Sequence, residues 1–223
     1  LAALVRRALD ETTVDRVRIS SIQPQDWSPE FLDLFADPRL CRHLHLPLQA
    51  GSDAVLRRMA RRYTTGDFAA LVERLRERVP DIAITADIIV GFPGETDENH
   101  AESIDFVRRM AFADAHVFRY SPRQSTAASR MAEQVLPELK RARSEEMRAV
   151  AEESATAFRR RFLGTSRPVL WEEELESGAD GRSWSGLTDN FLRVRATADA
   201  ELLGVTSSVA LDRLEGSDLI GRT

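Results

Sequence analysis

Short apolar runs rich in β-branched and aromatic residues alternate with segments of helical periodicity through residue 122, and that alternation leaves few folds open. The runs cover residues 17–22, ended by Pro24; 43–48, ended by Gly51-Ser52-Asp53; 82–92, ended by Pro93-Gly94; and 115–121, ended by Pro122. Short branched runs followed by turn residues predict strands. Between them, Ser28-Pro29-Glu30 opens a helix carrying Phe31, Leu32 and Leu34. Asp53 precedes Val55, Leu56 and Met59, and Thr65 precedes Phe68, Leu71, Val72 and Leu75, a helix that must end near Pro80. Thr96-Asp97-Glu98 opens another with Ile104, Phe106, Val107 and Met110. This spacing gives βαβ units and a parallel sheet with helices on its outer face. Ligands of such sheets bind beyond the carboxyl ends of the strands, where residues 49–52, 91–95 and 120–122 fall.

The pattern then changes. A long charged helix is predicted over 137–162, with Met147, Val150, Phe158 and Phe162 for packing. After Gly164, short runs at 168–171, 190–195, 202–205 and 208–211 are separated by glycine and acidic turns, which predicts a small all-β barrel. The expected domains are 1–163 and 164–223. The first holds 25 basic and 25 acidic residues, the second 6 and 11, so the net charge of −5 lies in the second. A bulk basic footprint for nucleic acid is therefore missing from the barrel. The composition, 43% hydrophobic and 30% charged, is that of a soluble globular chain rather than a disordered or fibrous one. No apolar run approaches the roughly 20 residues of a membrane span, and the expected location is cytoplasmic. The chain opens at Leu1 inside an amphipathic pattern, which is expected of the C-terminal part of a longer protein.

Few residues offer chemistry on local grounds. The loop 91–96 leaves a strand and enters a helix, so its free N–H groups could face a ligand; a tight βα turn needs the same glycines. Asp87 shares a strand face with Thr85 and Ile89, and a carboxylate there is costly unless paired. His43 and His45 share a face, with no third ligand at matching spacing, so a hydrogen-bonded pair is favoured and no metal is expected. Cys41, the single cysteine, rules out an internal disulfide or an all-cysteine metal site within this chain and reads as a small buried hydrophobe. Phosphate-loop, dinucleotide, HExxH and GxSxG motifs are lacking. Local reasoning stops at an α/β domain with a polar strand-end site and a β appendage.

Taken together, four stretches carry a resemblance: Arg18-Ile19-Ser20-Ser21-Ile22, residues 43–53 (HLHLPLQAGSD), residues 87–96 (DIIVGFPGET) and residues 116–123 (HVFRYSPR). In this order and spacing they resemble the methylthiotransferase branch of the radical S-adenosylmethionine (SAM) enzymes, and the segment after residue 163 resembles a TRAM domain. Residues 61–65 (RRYTT) and 41–43 (CRH) look most like the subgroup that acts on N6-threonylcarbamoyladenosine at position 37 of tRNA. The isopentenyladenosine and ribosomal-protein subgroups are close relatives, and a non-catalytic RNA-binding fragment is the alternative from another class.

The resemblance implies the C-terminal part of a radical SAM partial (β/α) barrel followed by a small all-β TRAM-like barrel. It implies SAM and two 4Fe-4S clusters, one for radical formation and one as sulfur source, with tRNA and an electron donor as partners of a monomeric enzyme and no membrane. By position, Ser20 and Ser21 would approach the amino-acid part of SAM, and Gln49, Ser52 and Asp87 the ribose or substrate. Val90, Gly91, Phe92 and Pro93 would form the adenine shelf, with Tyr120 and Ser121 the last strand's contact. Trp184, Phe191, Arg193 and Arg195 would meet RNA. The family's cluster cysteines lie upstream of its matching stretches and Cys41 replaces none of them, so this chain alone is expected to be inactive. Arg119 stands where relatives usually have proline.

Overall fold

The computed structural model describes residues 1–178 and 181–223. Two helices, α1 (Ala2–Glu11) and α2 (Pro29–Asp33), precede β1 (His43–His45). Then come α3 (Asp53–Arg58), α4 (Thr65–Arg78), β2 (Ala83–Val90), α5 (Asp97–Met110), β3 (Asp114–Arg119) and α6 (Pro137–Arg160). The remaining strands are β4 (Ser166–Gly178), β5 (Gly181–Thr188), β6 (Arg193–Ala198), β7 (Thr206–Glu215) and β8 (Asp218–Arg222).

The first three strands form a parallel sheet in the order β1-β2-β3, with His45 opposite Thr85 and Asp87 opposite His116. Pleating divides β2 by parity. Ile84, Ala86 and Ile88 join Leu44, Leu46, Phe68, Leu71, Phe106 and Val107 in the core beneath the helices. The odd residues, Thr85, Asp87 and Ile89, face the opposite, concave side. Gly51 permits the layers to approach, because a Cβ there would stand 2.7 Å from the Ser103 Cα of α5.

Helix starts follow side-chain chemistry. Thr64, one residue before the expected cap, accepts from the Asp67 N–H while Asp67 accepts from the Thr64 N–H. Thr96 and Asn99 make the same reciprocal cap on α5, as expected. The strand expected at 17–22 is not formed; Val17 and Ser21 make only isolated bridges to Leu40 and His45. Its neighbour β1 is three residues long and stops before Pro47, which has no N–H to continue a ladder.

Strands β4–β8 close into a barrel in the order β4-β5-β6-β8-β7. Its interior holds Val169, Trp171, Trp184, Val194, Leu211 and Leu219, and Phe158 of α6 and Phe162 in the turn after it join that cluster. Trp184 is therefore not an RNA contact: it is 1% exposed and serves as core. The expected strand at 202–205 is instead a turn, while β5 and β8 lie outside the expected runs. The β5 sequence, GRSWSGLT, is too polar and glycine-rich for a strand signal. Gly186 nonetheless lies so close to the Leu170 carbonyl that a side chain would collide with it. The barrel is tied to the sheet by Arg42 Nε donating to Asp189 at 2.5 Å and by Asn190 Nδ2 donating to the Asp81 carbonyl at 3.1 Å.

Candidate functional site

The concave face of the sheet carries a polar ladder built by strand parity. Thr85 Oγ1 lies 3.2 Å from His43 Nε2 and 2.9 Å from His45 Nδ1. The Asp87 carboxylate lies 3.2 Å from His45 Nε2 and 3.3 Å from His116 Nδ1. An ionised carboxylate only accepts, so His45 Nε2 and His116 Nδ1 carry the protons. In a neutral His45 the Nδ1 then accepts from the Thr85 hydroxyl, which itself accepts from His43 Nε2–H. That leaves His43 Nδ1 buried and without a partner among the described residues. His45, Asp87 and His116 bring their donor atoms within 4.8 Å of one another. Two imidazoles and a carboxylate are a set a divalent transition metal accepts, a third ligand that spacing along one strand could not reveal.

Burial sets the charge of His43. Its imidazole is 2% exposed and its pKa falls to about 4, through desolvation first and then the charges of Arg18 and His45. An unfolded chain protonates this ring from about pH 6.5 downward, whereas the folded one resists until about pH 4. The folded state therefore loses stability as pH falls through that window, by on the order of 3 kcal/mol. Urea unfolding of the wild type and of His43→Gln between pH 7.5 and 4.5 will show a steeper loss for the wild type; parallel curves would contradict the neutral, buried imidazole.

Two cavities open along this face. One of about 680 Å³ lies at the amino-terminal half of the strands, between Ser20, Ser21, the histidines and the barrel residues Asn190, Phe191, Leu192, Arg193 and Asp218. The other, about 530 Å³, lies at the carboxyl ends of β2 and β3 between Gln49, Ile89, Phe92, Tyr120, Ser121 and Arg123. Asp87 and Phe118 line both.

The expected site residues thus divide. Ser20, Ser21, Phe191 and Arg193 reach the first cavity, Gln49, Phe92, Tyr120 and Ser121 the second, and Asp87 both. Gln49 arrives in the left-handed region, φ 69°, and its N–H donates to the Asp87 carbonyl at 2.8 Å. Ser52 does not reach either cavity; its hydroxyl donates to Glu102 at 2.6 Å. Of the expected shelf only Phe92 lines a cavity. Val90 is in the core, Pro93 is buried, and Gly91 gives its N–H to Glu95. Arg195 is held by Asp218 at 3.2 Å and Glu215 at 3.7 Å instead of facing the first cavity. His116, Arg18 and Asn190 line the site although they are not among the expected residues. Strand parity across three paired strands would have found His116; nothing local marks the others.

A model of the radical SAM superfamily matches residues 1–107, and 99% of the chain aligns at 36% identity with the tRNA-2-methylthio-N(6)-dimethylallyladenosine synthase of Maricaulis maris. The chain belongs to the radical SAM superfamily. Within it the relatives are methylthiotransferases. The threonylcarbamoyladenosine tRNA methylthiotransferase MtaB of Thermotoga maritima is 44% identical over 158 residues, 70% of this chain and 36% of that protein. The Maricaulis relative is matched over 48% of its length, so the chain spans about half or less of these curated relatives. Among solved structures, coproporphyrinogen III oxidase (HemN) from Escherichia coli matches with a TM-score of 0.58 at 18% identity, covering 85% of this chain and 51% of that one. That likeness concerns the fold.

Membership of this superfamily brings SAM and a 4Fe-4S cluster as cofactors. The donor set here does not fit a cluster. Cys41 is the single cysteine, it is 6% exposed, and burial pushes its thiol pKa up, whereas a cluster needs several thiolates. The second cavity does fit SAM. Its rim offers Gln49 and Ser121 with Asp87, Arg119 and Arg123, groups of both signs for a zwitterionic amino-acid moiety, and the buried Tyr120 hydroxyl on its wall has no partner among the described residues. Among those residues no helix is long and apolar enough to cross a membrane.

Proposed function

We propose that this chain is the SAM- and substrate-binding part of a cytoplasmic tRNA methylthiotransferase, with residues 1–163 as the C-terminal portion of a partial (β/α) barrel and 164–223 as a TRAM-like domain. The carrying observation is the pair of cavities that meet at Asp87. The cavity at the carboxyl ends of the strands is the place for SAM, held by Gln49, Phe92, Tyr120 and Ser121. The other, walled on one side by the small barrel, admits the target adenosine at position 37 of tRNA, with Ser20 and Ser21 at its rim. When bound, SAM supplies the hydrogen-abstracting radical and, as a second molecule, the methyl group; the clusters and their electron donor belong to parts of the enzyme outside this chain.

The chain's own residues orient and seal. Asp87 sits between the two ligands with its charge held by two imidazole N–H groups. The Thr85 hydroxyl fixes the ring of His45. Phe92, 7% exposed, closes the wall of the second cavity against water. The MtaB relative at 44% identity favours N6-threonylcarbamoyladenosine as the modified base; the dimethylallyl form is the second reading, favoured by the relative aligned over nearly the whole chain.

The test uses the intact protein from its gene, reconstituted with iron and sulfide. Digested tRNA from cells with and without it should differ by a methylthio increment on the adenosine at position 37, read by mass spectrometry. An unchanged tRNA pool despite loaded clusters would sink the proposal.

A further inference from the structure

We propose that Arg18 and Arg193, with Phe191 held between His43 and Arg18, form a carboxylate-binding wall that selects the N6-threonylcarbamoyl substituent over an apolar one. This rests on the reading above that the first cavity admits the target adenosine.

The argument begins with unspent charge. Among the described residues lining this cavity, three guanidinium groups occur. Arg159 is paired with Glu152 at 2.9 Å. Arg193 donates only to the neutral Ser185 hydroxyl at 2.8 Å. Arg18 has no carboxylate partner among the described residues and instead lies 4.4 Å over the Phe191 ring. The acids of the same cavity are differently placed. Asp87 is shared by His45 and His116 and Asp218 is taken by Arg195, while Asp114 accepts only from the Ala115 N–H and keeps its charge. Among the described residues, two cationic forks without a carboxylate partner thus line the cavity against one free acid, Asp114, and a planar guanidinium matches a carboxylate through two parallel bonds.

Phe191 shows that the wall is built rather than incidental. Its φ of 65° is costly for a non-glycine residue, and such strain concentrates at functional positions. The turn that holds it is over-determined: Thr188 Oγ1 donates to Asn190, Leu192 N–H donates back to Thr188 Oγ1, and Asn190 reaches across to the Asp81 carbonyl. The ring then stacks 4.5 Å from the buried His43 on one side and carries Arg18 on the other. Arg18 is thereby fixed at little cost in rotamer freedom. The dimethylallyl group would leave both forks desolvated and unpaired, whereas the threonyl carboxylate pairs with them. A site built for a polar group discriminates strongly against an analogue lacking it.

A backbone phosphate of the tRNA offers the same anion chemistry, and the experiment separates the two. The intact reconstituted enzyme is given one tRNA sequence carrying either threonylcarbamoyl- or dimethylallyladenosine, and methylthiolation kcat/KM is measured for wild type, Arg18→Gln and Arg193→Gln. Binding of the two free modified nucleosides is measured by equilibrium dialysis. The wild type should favour the threonylcarbamoyl substrate in both assays. Each variant should lower its kcat/KM by at least about tenfold, leaving tRNA affinity within about twofold. Equal weakening of both tRNAs by either variant would assign the arginines to phosphate and overturn the proposal. A wild type that prefers the dimethylallyl substrate would also overturn it while leaving the methylthiotransferase reading intact. Selective nucleoside binding without turnover on either tRNA would support the carboxylate wall and count against the reaction instead.

Discussion

Asparagine in place of Asp87 will lower methylthiolation by the intact enzyme by about a hundredfold without unfolding it. The carboxylate is the only ionised group that lines both cavities among the described residues. Each of its oxygens accepts from an imidazole, His45 at 3.2 Å and His116 at 3.3 Å. Hydrogen bonds to a charged group contribute roughly 1.5–3 kcal/mol each. An amide of the same shape keeps one acceptor and turns an NH₂ toward an imidazole N–H. His45 then loses the partner that fixes its proton on Nε2, and the ladder back to Thr85 and His43 loses its direction. The side chain of Asp87 is 29% exposed, so water replaces part of the lost bond, and the melting temperature should fall by about 3–6 °C with the chain still folded. Substrate-independent release of 5′-deoxyadenosine separates a loss at the target base from a loss of SAM handling. Activity within threefold of wild type would remove Asp87 from the site.

Periodicity makes the layered part of this fold legible. β2 is eight residues, five of them β-branched, between helices with recognisable caps, and its even residues are the core while Thr85, Asp87 and Ile89 face the site. Alternation along the strand is enough to put Thr85 with Asp87 on one face, and His43 with His45 on one face of β1. It is not enough to place His116, whose role depends on the register of β3 against β2. The edge of the sheet is harder to read. Residues 17–22 have strand composition, but their neighbour β1 is too short to hold more than single bridges.

The barrel is readable only as a class. Its strands are paired by closure, so β5 survives two glycines and four polar residues because Trp184 fills the interior. The same closure makes that tryptophan core instead of the expected RNA contact. The contacts between barrel and sheet are illegible in the sequence, since Asp189, Asn190 and Phe191 look like an ordinary turn until Arg42, Asp81 and His43 are seen opposite them.

Exchange of Arg143 for methionine will destabilise the chain by about 3–5 kcal/mol, the cost of leaving a buried carboxylate unpaired. Arg143 and Glu95 have side chains only 4% and 2% exposed, joined at 2.8 Å. Arg143 Nη1 also donates to the Glu95 carbonyl at 3.1 Å, and Nη2 reaches Asp97 at 2.6 Å. Burial raises the Glu95 pKa, opposed by the Gly91 N–H and by the Arg143 charge. With the arginine gone the opposition weakens and the acid prefers its protonated form. A carboxyl whose folded pKa lies above its unfolded value contributes stability at low pH and loses it as pH rises. The deficit of Arg143→Met should therefore shrink between pH 7.5 and 5 in urea unfolding. The double variant Arg143→Met, Glu95→Gln should recover much of the loss, because no uncompensated charge remains. The effect reaches the site through one atom: Glu95 Oε1, which takes Arg143, also takes the Gly91 N–H at 2.9 Å and so sets the turn that delivers Phe92 to the second cavity. A single variant within about 1 kcal/mol of wild type at pH 7.5 would show that water reaches Glu95 and that the ion pair is not what shapes this loop.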